Sequence, residues 1–294
     1  MSFDKDRLPK SLVDAYCAKR CAIFVGAGIS QGAGLPGWDE FLELLIQRCI
    51  DESLLPAEGA EEYRELVGAP GKQLKLASAL KDTLGSAWDA VITEIFYEGG
   101  QAPTEVHDQL PQLDKLTLAI TTNYDTLIET AYTTALGRRP RVLTFKDSGE
   151  MRRLTLQREF FVLKAHGDAE KPGNGIILTV GDYRELARER AYQSLLASIF
   201  TLNTVFFIGV SLDDPELLVL LDYLADTFEP TARPTHYALI PEDEINAVER
   251  DRWRKDYLIQ IIPIKKDNNF EEIPQSLHAL RELAGASDAG TSGK

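Results

Sequence analysis

The sequence lacks any run approaching the roughly 18–20 uncharged apolar residues that a membrane helix needs, so it is not expected to span a bilayer. It is also poor in cysteine. Cys17, Cys21 and Cys49 are its only three, all in the first sixth of the chain, and none forms a C-x-x-C pair. A zinc ribbon needs two such pairs, so no metal site is expected. Cys17 and Cys21 share helical spacing, but Cys21 opens an apolar run that reads as strand; buried, unreactive thiols are the expectation. Positive charge is in deficit as well, with 32 Lys and Arg against 46 Asp and Glu and a net charge of −14. Phosphate-backbone binding draws on clustered cations, so no direct nucleic-acid binding is expected. The local group Arg138, Arg139 and Arg141 reads either as a small basic patch or as a solvated loop. The first residues, MSFDKDRLPKSL, are charged and contain no apolar signal region, which points to the cytoplasm.

What is present is an ordinary globular complement, 44% hydrophobic over 294 residues, enough for one large α/β domain. Short apolar, β-rich runs recur at Cys21–Val25, Leu116–Thr121, Phe160–Lys164, Thr204–Ile208, His236–Ile240 and Leu258–Ile262. Most are apolar without alternation, as strands are when helices cover both faces of a parallel sheet. Helical patterns lie between them at Thr126–Ala135, Asp182–Arg188, Ala191–Leu202 and Pro215–Phe228. The expected fold is α/β, a doubly wound, mostly parallel Rossmann-like sheet. About ninety residues separate the first two runs, far more than the dozen or so a crossover needs. Asp39–Cys49, Glu61–Val67, Lys72–Leu84 and Ala87–Phe96 read as helices there, giving a helical insertion at about 39–105. A single domain over 1–286 is expected, and the small, polar end from Ala284 reads as loose, with 287–294 as a flexible tail.

Four turns at strand carboxyl ends hold the candidate chemistry. The first run leads into Gly26-Ala27-Gly28-Ile29-Ser30, where glycines permit close backbone approach to a phosphate and a sharp turn into a helix. No Gly-Lys-Ser/Thr follows, so this is not a Walker loop, and Gln31 stands where a G-x-G-x-x-G would place its third glycine. A plain structural turn is the alternative. The second run ends in Thr121-Thr122-Asn123-Tyr124-Asp125, where Asn123 and Asp125 can bond a ribose hydroxyl, an amide or a water. Either can instead cap the following helix. The third ends in Lys164-Ala165-His166-Gly167-Asp168. His166 is placed to act as a general base, or else closes the strand with a backbone hydrogen bond. The fourth ends in Gly209-Val210-Ser211-Leu212-Asp213-Asp214, which reads as a nucleotide-contacting turn or as an ordinary turn with an Asp cap. Their convergence on one rim is the strongest functional signal.

FVGAGIS at 24–30, GLPGW at 34–38, TTNYD at 121–125, KAHGD at 164–168 and FIGVSLDD at 207–214 together resemble the sirtuin superfamily, specifically its bacterial branch associated with anti-phage defence. The resemblance implies a Rossmann-like NAD-binding domain. It implies that Gly26, Ala27, Gly28 and Ser30 hold the NAD pyrophosphate and that Gly209 and Ser211 contact the adenosine half. Asn123 would sit by the nicotinamide ribose, with Thr122 beside it and Asp125 near the nicotinamide amide. His166 would be the essential base, and Trp38 falls where sirtuins carry a Phe close to nicotinamide. Protein-deacylating sirtuins usually carry a four-cysteine zinc module and an arginine after that Phe; here Gly37-Trp38-Asp39 lacks the arginine. These departures imply an NAD glycohydrolase of the defence type. Unregulated NAD hydrolysis would kill the host, so a regulatory protein partner or an oligomer is expected to switch it on. A deacylase, an ADP-ribosyl transferase or cyclase, and a non-catalytic NAD-binding sensor or scaffold remain as rival readings.

Overall fold

The computed structural model describes residues 3–69, 71–212, 214–227, 235–266 and 270–291. Its strands are β1 (Cys21–Val25), β2 (Leu116–Thr121), β3 (Arg141–Thr144), β4 (Phe161–Lys164), β5 (Thr204–Ile208), β6 (His236–Pro241) and β7 (Ile259–Ile264). They form one sheet in the order β3-β4-β2-β1-β5-β6-β7, with every neighbouring pair parallel. The helices are α1 (Lys10–Cys17), α2 (Ala27–Gln31), α3 (Trp38–Asp51), α4 (Ala60–Val67), α5 (Gln73–Leu84), α6 (Trp88–Phe96) and α7 (Glu105–Gln109) before β2. After it come α8 (Leu127–Leu136), α9 (Ser148–Gln157), α10 (Val180–Leu186), α11 (Arg190–Leu202), α12 (Pro215–Thr227), α13 (Ala247–Asp256) and α14 (Glu272–Thr291).

The apolar strand runs are explained by burial on both faces. In β1, Cys21, Ile23 and Val25 join a core with Leu12 and Tyr16 of α1, Ile128 of α8 and Leu277 of α14. The alternate residues Ala22 and Phe24 join a second core with Met151 of α9, Phe200 of α11 and Leu217 of α12. Side chains alternate across a strand, so a strand covered on both sides must be apolar at both sets of positions.

The chain lays β2, β4 and β3 on one side of β1, then returns across it to lay β5, β6 and β7 on the other. The carboxyl ends of β1 and β5 therefore flank the topological switch point, where open α/β sheets bind ligands. The expected insertion is present as α3 to α6, beginning at Trp38. It has its own core, including Leu42, Leu45, Leu80 and Ile92, and that core continues into Tyr124, Leu127, Ala169 and Ile176 from the turns above the sheet. The insertion thus sits on the rim where the four candidate turns emerge.

Three expectations differ from the structure. β3 is not among the expected strands: it is four residues long, at the sheet edge, and opens with Arg141 of the segment read as a basic patch or solvated loop. Arg139 of the same segment pairs with Glu170 across two hydrogen bonds, the longer 2.9 Å. Helix α14 continues through Thr291, so the end expected to be loose from 284 starts as helix; its alanines favour that state. Residues 292–294 of the expected tail, Phe228 of the expected fourth helix and Asp213 of the fourth turn lie outside the described residues.

Candidate active site

The first and fourth turns are locked together by their backbones. The Gly26 amide donates to Ile208 O and the Gly28 amide to Gly209 O, both at 3.0 Å. Gly209 has φ +63°, and a Cβ there would lie 2.6 Å from Ile29 Cγ1. A Cβ on Gly26 would collide with Gly209 O and Val210 in turn. Only glycine permits both the left-handed backbone and this approach. The resemblance assigns Gly26 and Gly28 to a pyrophosphate, but the amides of both are spent on holding the turns together.

Asn123 lies at the bottom of the second turn. Its Nδ2 donates to Gly26 O at 3.1 Å and Ser30 Oγ at 2.9 Å, and its backbone amide donates to Thr121 Oγ1 at 3.0 Å. The Asn123 side chain does not cap α8. Asp125, just before the Thr126 N-cap, accepts from the first helical amide, that of Leu127, at 3.0 Å, while its other oxygen accepts from Ser30 Oγ at 2.8 Å. Asn123 Oδ1 is buried and has no hydrogen-bond partner among the described residues. Such an atom carries a desolvation cost of about 1–3 kcal/mol, which a ligand donor reaching it would relieve.

In the third turn the His166 carbonyl accepts from the Ile177 amide at 2.9 Å, as in the strand-closing reading, but the buried imidazole is otherwise engaged. Its Nε2 lies 3.5 Å from Asp214 Oδ2, and its ring meets Tyr183 edge-on at 5.4 Å. The Tyr183 hydroxyl donates to the same Asp214 oxygen at 3.1 Å, while Asp214 Oδ1 accepts from the Leu217 amide at 3.0 Å and caps α12. The adjacent Gly167 has φ +97°, and a Cβ there would collide with Gly175 O.

These groups line a cavity of about 830 Å³, within the range for small-molecule and cofactor sites. Each residue to which the resemblance gives a place around NAD lines it: Gly26, Ala27, Gly28, Ser30, Trp38, Thr122, Asn123, Asp125, His166, Gly209 and Ser211. So do Tyr183, to which sequence reasoning gave no role, and Asp214, which it offered only as part of a nucleotide-contacting or Asp-capped turn. Asp214 was visible at the end of the fourth run; Tyr183 sits within a helix and no local pattern marks it. An aromatic row forms one wall and links the insertion to the Asn123 turn. Trp38 to Phe41 spans 6.2 Å, Phe41 to Phe96 5.0 Å and Phe96 to Tyr124 5.2 Å between ring centres. The row ends on the Tyr124 hydroxyl, which donates to Ile177 O at 2.7 Å and which burial pushes far above its ordinary pKa.

A family profile described as a SIR2-like domain matches residues 117–262. The chain is sirtuin-like. The NAD(+) hydrolase ThsA of Bacillus cereus (strain MSX-D12) is 28% identical over 291 residues, covering 92% of this chain and 56% of that protein. Defense-associated sirtuin 2 of Bacillus subtilis is 26% identical over 228 residues, covering 73% of this chain and 20% of that protein. The NAD(+) hydrolase ThsA of Acinetobacter baumannii (strain 532279) is 29% identical over 239 residues, covering 80% and 44%. The chain thus spans between about a fifth and just over half the length of these curated relatives. A solved structure from work on the mechanism and regulation of Sir2 enzymes aligns over 97% of this chain and 99% of its own at 15% identity, with a TM-score of 0.45.

In this sirtuin-like chain the second and third turns fall inside the matched segment, whereas the Gly26–Ser30 turn precedes it. The cavity wall carries Asp125, Asp214 and Glu244 as its carboxylates. Among the described residues no group of three or more His, Cys, Asp or Glu is arranged to hold a metal ion, and no helix is long and apolar enough to cross a membrane. The three cysteines are free thiols; Cys21 and Cys49 are buried as expected, and burial pushes Cys21 up to about 12, whereas Cys17 is half-buried.

Proposed function

We propose that this chain is an NAD glycohydrolase, cleaving NAD with water to nicotinamide and ADP-ribose and releasing a proton. The observation that carries the reading is the buried Asn123 Oδ1, unpartnered among the described residues, in the same cavity as the His166 imidazole. The cavity fits a dinucleotide in size, lies at the switch point, and has an aromatic wall beside the Asn123 turn. The names of the relatives agree with hydrolysis and with a defence role.

Each residue has a defined task in this proposal. Breaking the N-glycosidic bond expels nicotinamide and leaves positive charge on the ribose carbon. Asn123 Oδ1 accepts a hydrogen bond from the attacking water or a ribose hydroxyl and fixes its position. His166 takes the proton, and Asp214 beside Nε2 stabilises the imidazolium that results. Asp125, held by Ser30 and Leu127, places a fixed negative charge near the developing cation. Gly26, Ala27, Gly28 and Ser30 face the pyrophosphate, Gly209 and Ser211 the adenosine half, and Trp38 and Thr122 the nicotinamide half. Because Gly26 and Gly28 spend their amides on the fourth turn, their contribution is close approach rather than hydrogen bonding.

Uncontrolled NAD cleavage would be toxic to a cell, so the activity is switched by assembly of copies or by a regulatory protein, in the cytoplasm where NAD is available. The test is incubation of purified protein with NAD while following nicotinamide and ADP-ribose, over a range of protein concentrations. Release by wild type, with losses of roughly 10²-fold or more in both Asn123→Ala and His166→Ala, is the expected result. NAD binding with no release at any concentration or with any co-purifying protein would instead support a silent binding module.

A further inference from the structure

The Lys164 side chain is fully buried and lies outside the candidate cavity. Its Nζ donates to Asp168 Oδ1 at 2.7 Å and to Tyr124 O at 3.1 Å, and stands 3.1 Å from Glu129 Oε1. An ammonium has three protons. Two go to acceptors in the two turns, and Glu129 stands at ion-pair distance with neither of its oxygens hydrogen-bonded among the described residues. Tyr124 stands between Asn123 and Asp125 in the second turn. Asp168 is two residues past His166 in the third, and Glu129 belongs to α8. The same two turns are joined again by the Ala169 amide, which donates to Tyr124 O at 3.0 Å, and by the Ala165 amide, which donates to Thr121 O at 2.8 Å. Asp168 Oδ1 also accepts from the Glu170 amide at 3.1 Å, so the acceptor itself is fixed.

Desolvating a cation and its partners costs several kcal/mol per ion, and well-packed apolar residues in place of a buried ion group are often as stable or more so. β4 is otherwise Phe161, Val162 and Leu163, buried on both faces, so an apolar residue would suit position 164 if packing were all that mattered. What an apolar side chain cannot do is bond a carbonyl in one turn and a carboxylate in the other. We propose that Lys164 is a positioning residue that sets the Asn123 turn against the His166 turn, and so fixes the distance between the two reacting side chains. Charge in the cluster is consistent with this. Burial works against the ammonium, but the neighbouring Glu129 and Asp168 carboxyls hold its pKa above the ordinary value, while burial pushes the Glu129 carboxyl up.

The inference rests on the hydrolase reading for its kinetic consequence but not for its structural one. The variant is Lys164→Met combined with Glu129→Met, which removes the buried ammonium together with one of the two carboxyls that face it, so that Asp168 alone is left without its cation. The expected result is a kcat lower by about 10²-fold, the cost of a misplacement near 1 Å, with the NAD dissociation constant within a few-fold of wild type. Hydrogen exchange should quicken at 122–126 and 165–170 and stay as in wild type across β1 and β5. A folded double variant with wild-type kcat, or a kcat loss accompanied by uniformly faster exchange, overturns the proposal. If the double variant does not fold, exchange in the wild-type protein decides. The Ala165 and Ala169 amides should then be protected to the level of the central strands, and rapid exchange at both overturns the clamp. If wild type releases no nicotinamide, the hydrolase reading falls by itself, and exchange still decides whether the two turns are clamped.

Discussion

At the residue scale, the glycines and carboxylates around the cavity have separable roles. Gly209 combines a left-handed backbone with contact against Ile29, so Gly209→Ala should lower stability by about 3 kcal/mol in urea unfolding. Gly149, near the start of α9 with open space where a Cβ would stand, offers the control; Gly149→Ala should be neutral or stabilising by up to about 0.5 kcal/mol. Asp214 both caps α12 and faces His166, and Asn caps a helix about as well as Asp. Asp214→Asn should therefore keep its melting temperature within a few degrees while turnover falls by about tenfold or more. Full turnover in that variant would remove Asp214 from the proposed proton path. The sequence marked Asn123 and His166 because each ends an apolar run. It left Asn123 undecided between ligand contact and helix cap, because Asp125 two residues on has the same capping chemistry and only the hydrogen bond to Leu127 separates them. Tyr183 was not legible at all: its link to Asp214 joins residues 31 apart in sequence.

At the element scale, strands buried on both faces were the easiest to read, and the exception follows from the same rule. β3 is short, borders β4 alone, and begins with exposed Arg141, so it lacks the continuous apolar run that marked the others. His236 in β6 is a second case of an element explaining a residue. Its Nδ1 accepts from the Val205 amide of β5 at 3.1 Å, tying the two strands, and burial lowers its pKa from 6.5 to about 4. The folded state thus favours neutral imidazole, while the unfolded chain takes up a proton near pH 6.5. The corresponding stability is complete above that pH and is lost progressively as pH falls from 6.5 to 4, at about 1.4 kcal/mol per pH unit. Urea unfolding at pH 7.5 and 5.0 should show a decline that His236→Gln flattens. Parallel declines in the two proteins would assign the acid sensitivity elsewhere.

At the scale of the whole molecule, the order β3-β4-β2-β1-β5-β6-β7 brings turns from the first, second, third and fourth sequence runs onto one rim, and the inserted helices close over it. Sequence spacing revealed the insertion by its length, but not that its aromatic row would meet Tyr124 or that Lys164 would join two turns beneath the cavity. Those contacts depend on packing between distant segments, which local pattern does not encode. The central claim, that Asn123 and His166 cleave NAD in this cavity, is tested most directly by product analysis. Nicotinamide and ADP-ribose should be measured with NAD for wild type, Asn123→Ala and His166→Ala, across protein concentrations and with verified folds. The account predicts equimolar products from wild type and a loss of roughly 10²-fold or more in each variant. Wild-type rates from both folded variants would contradict it.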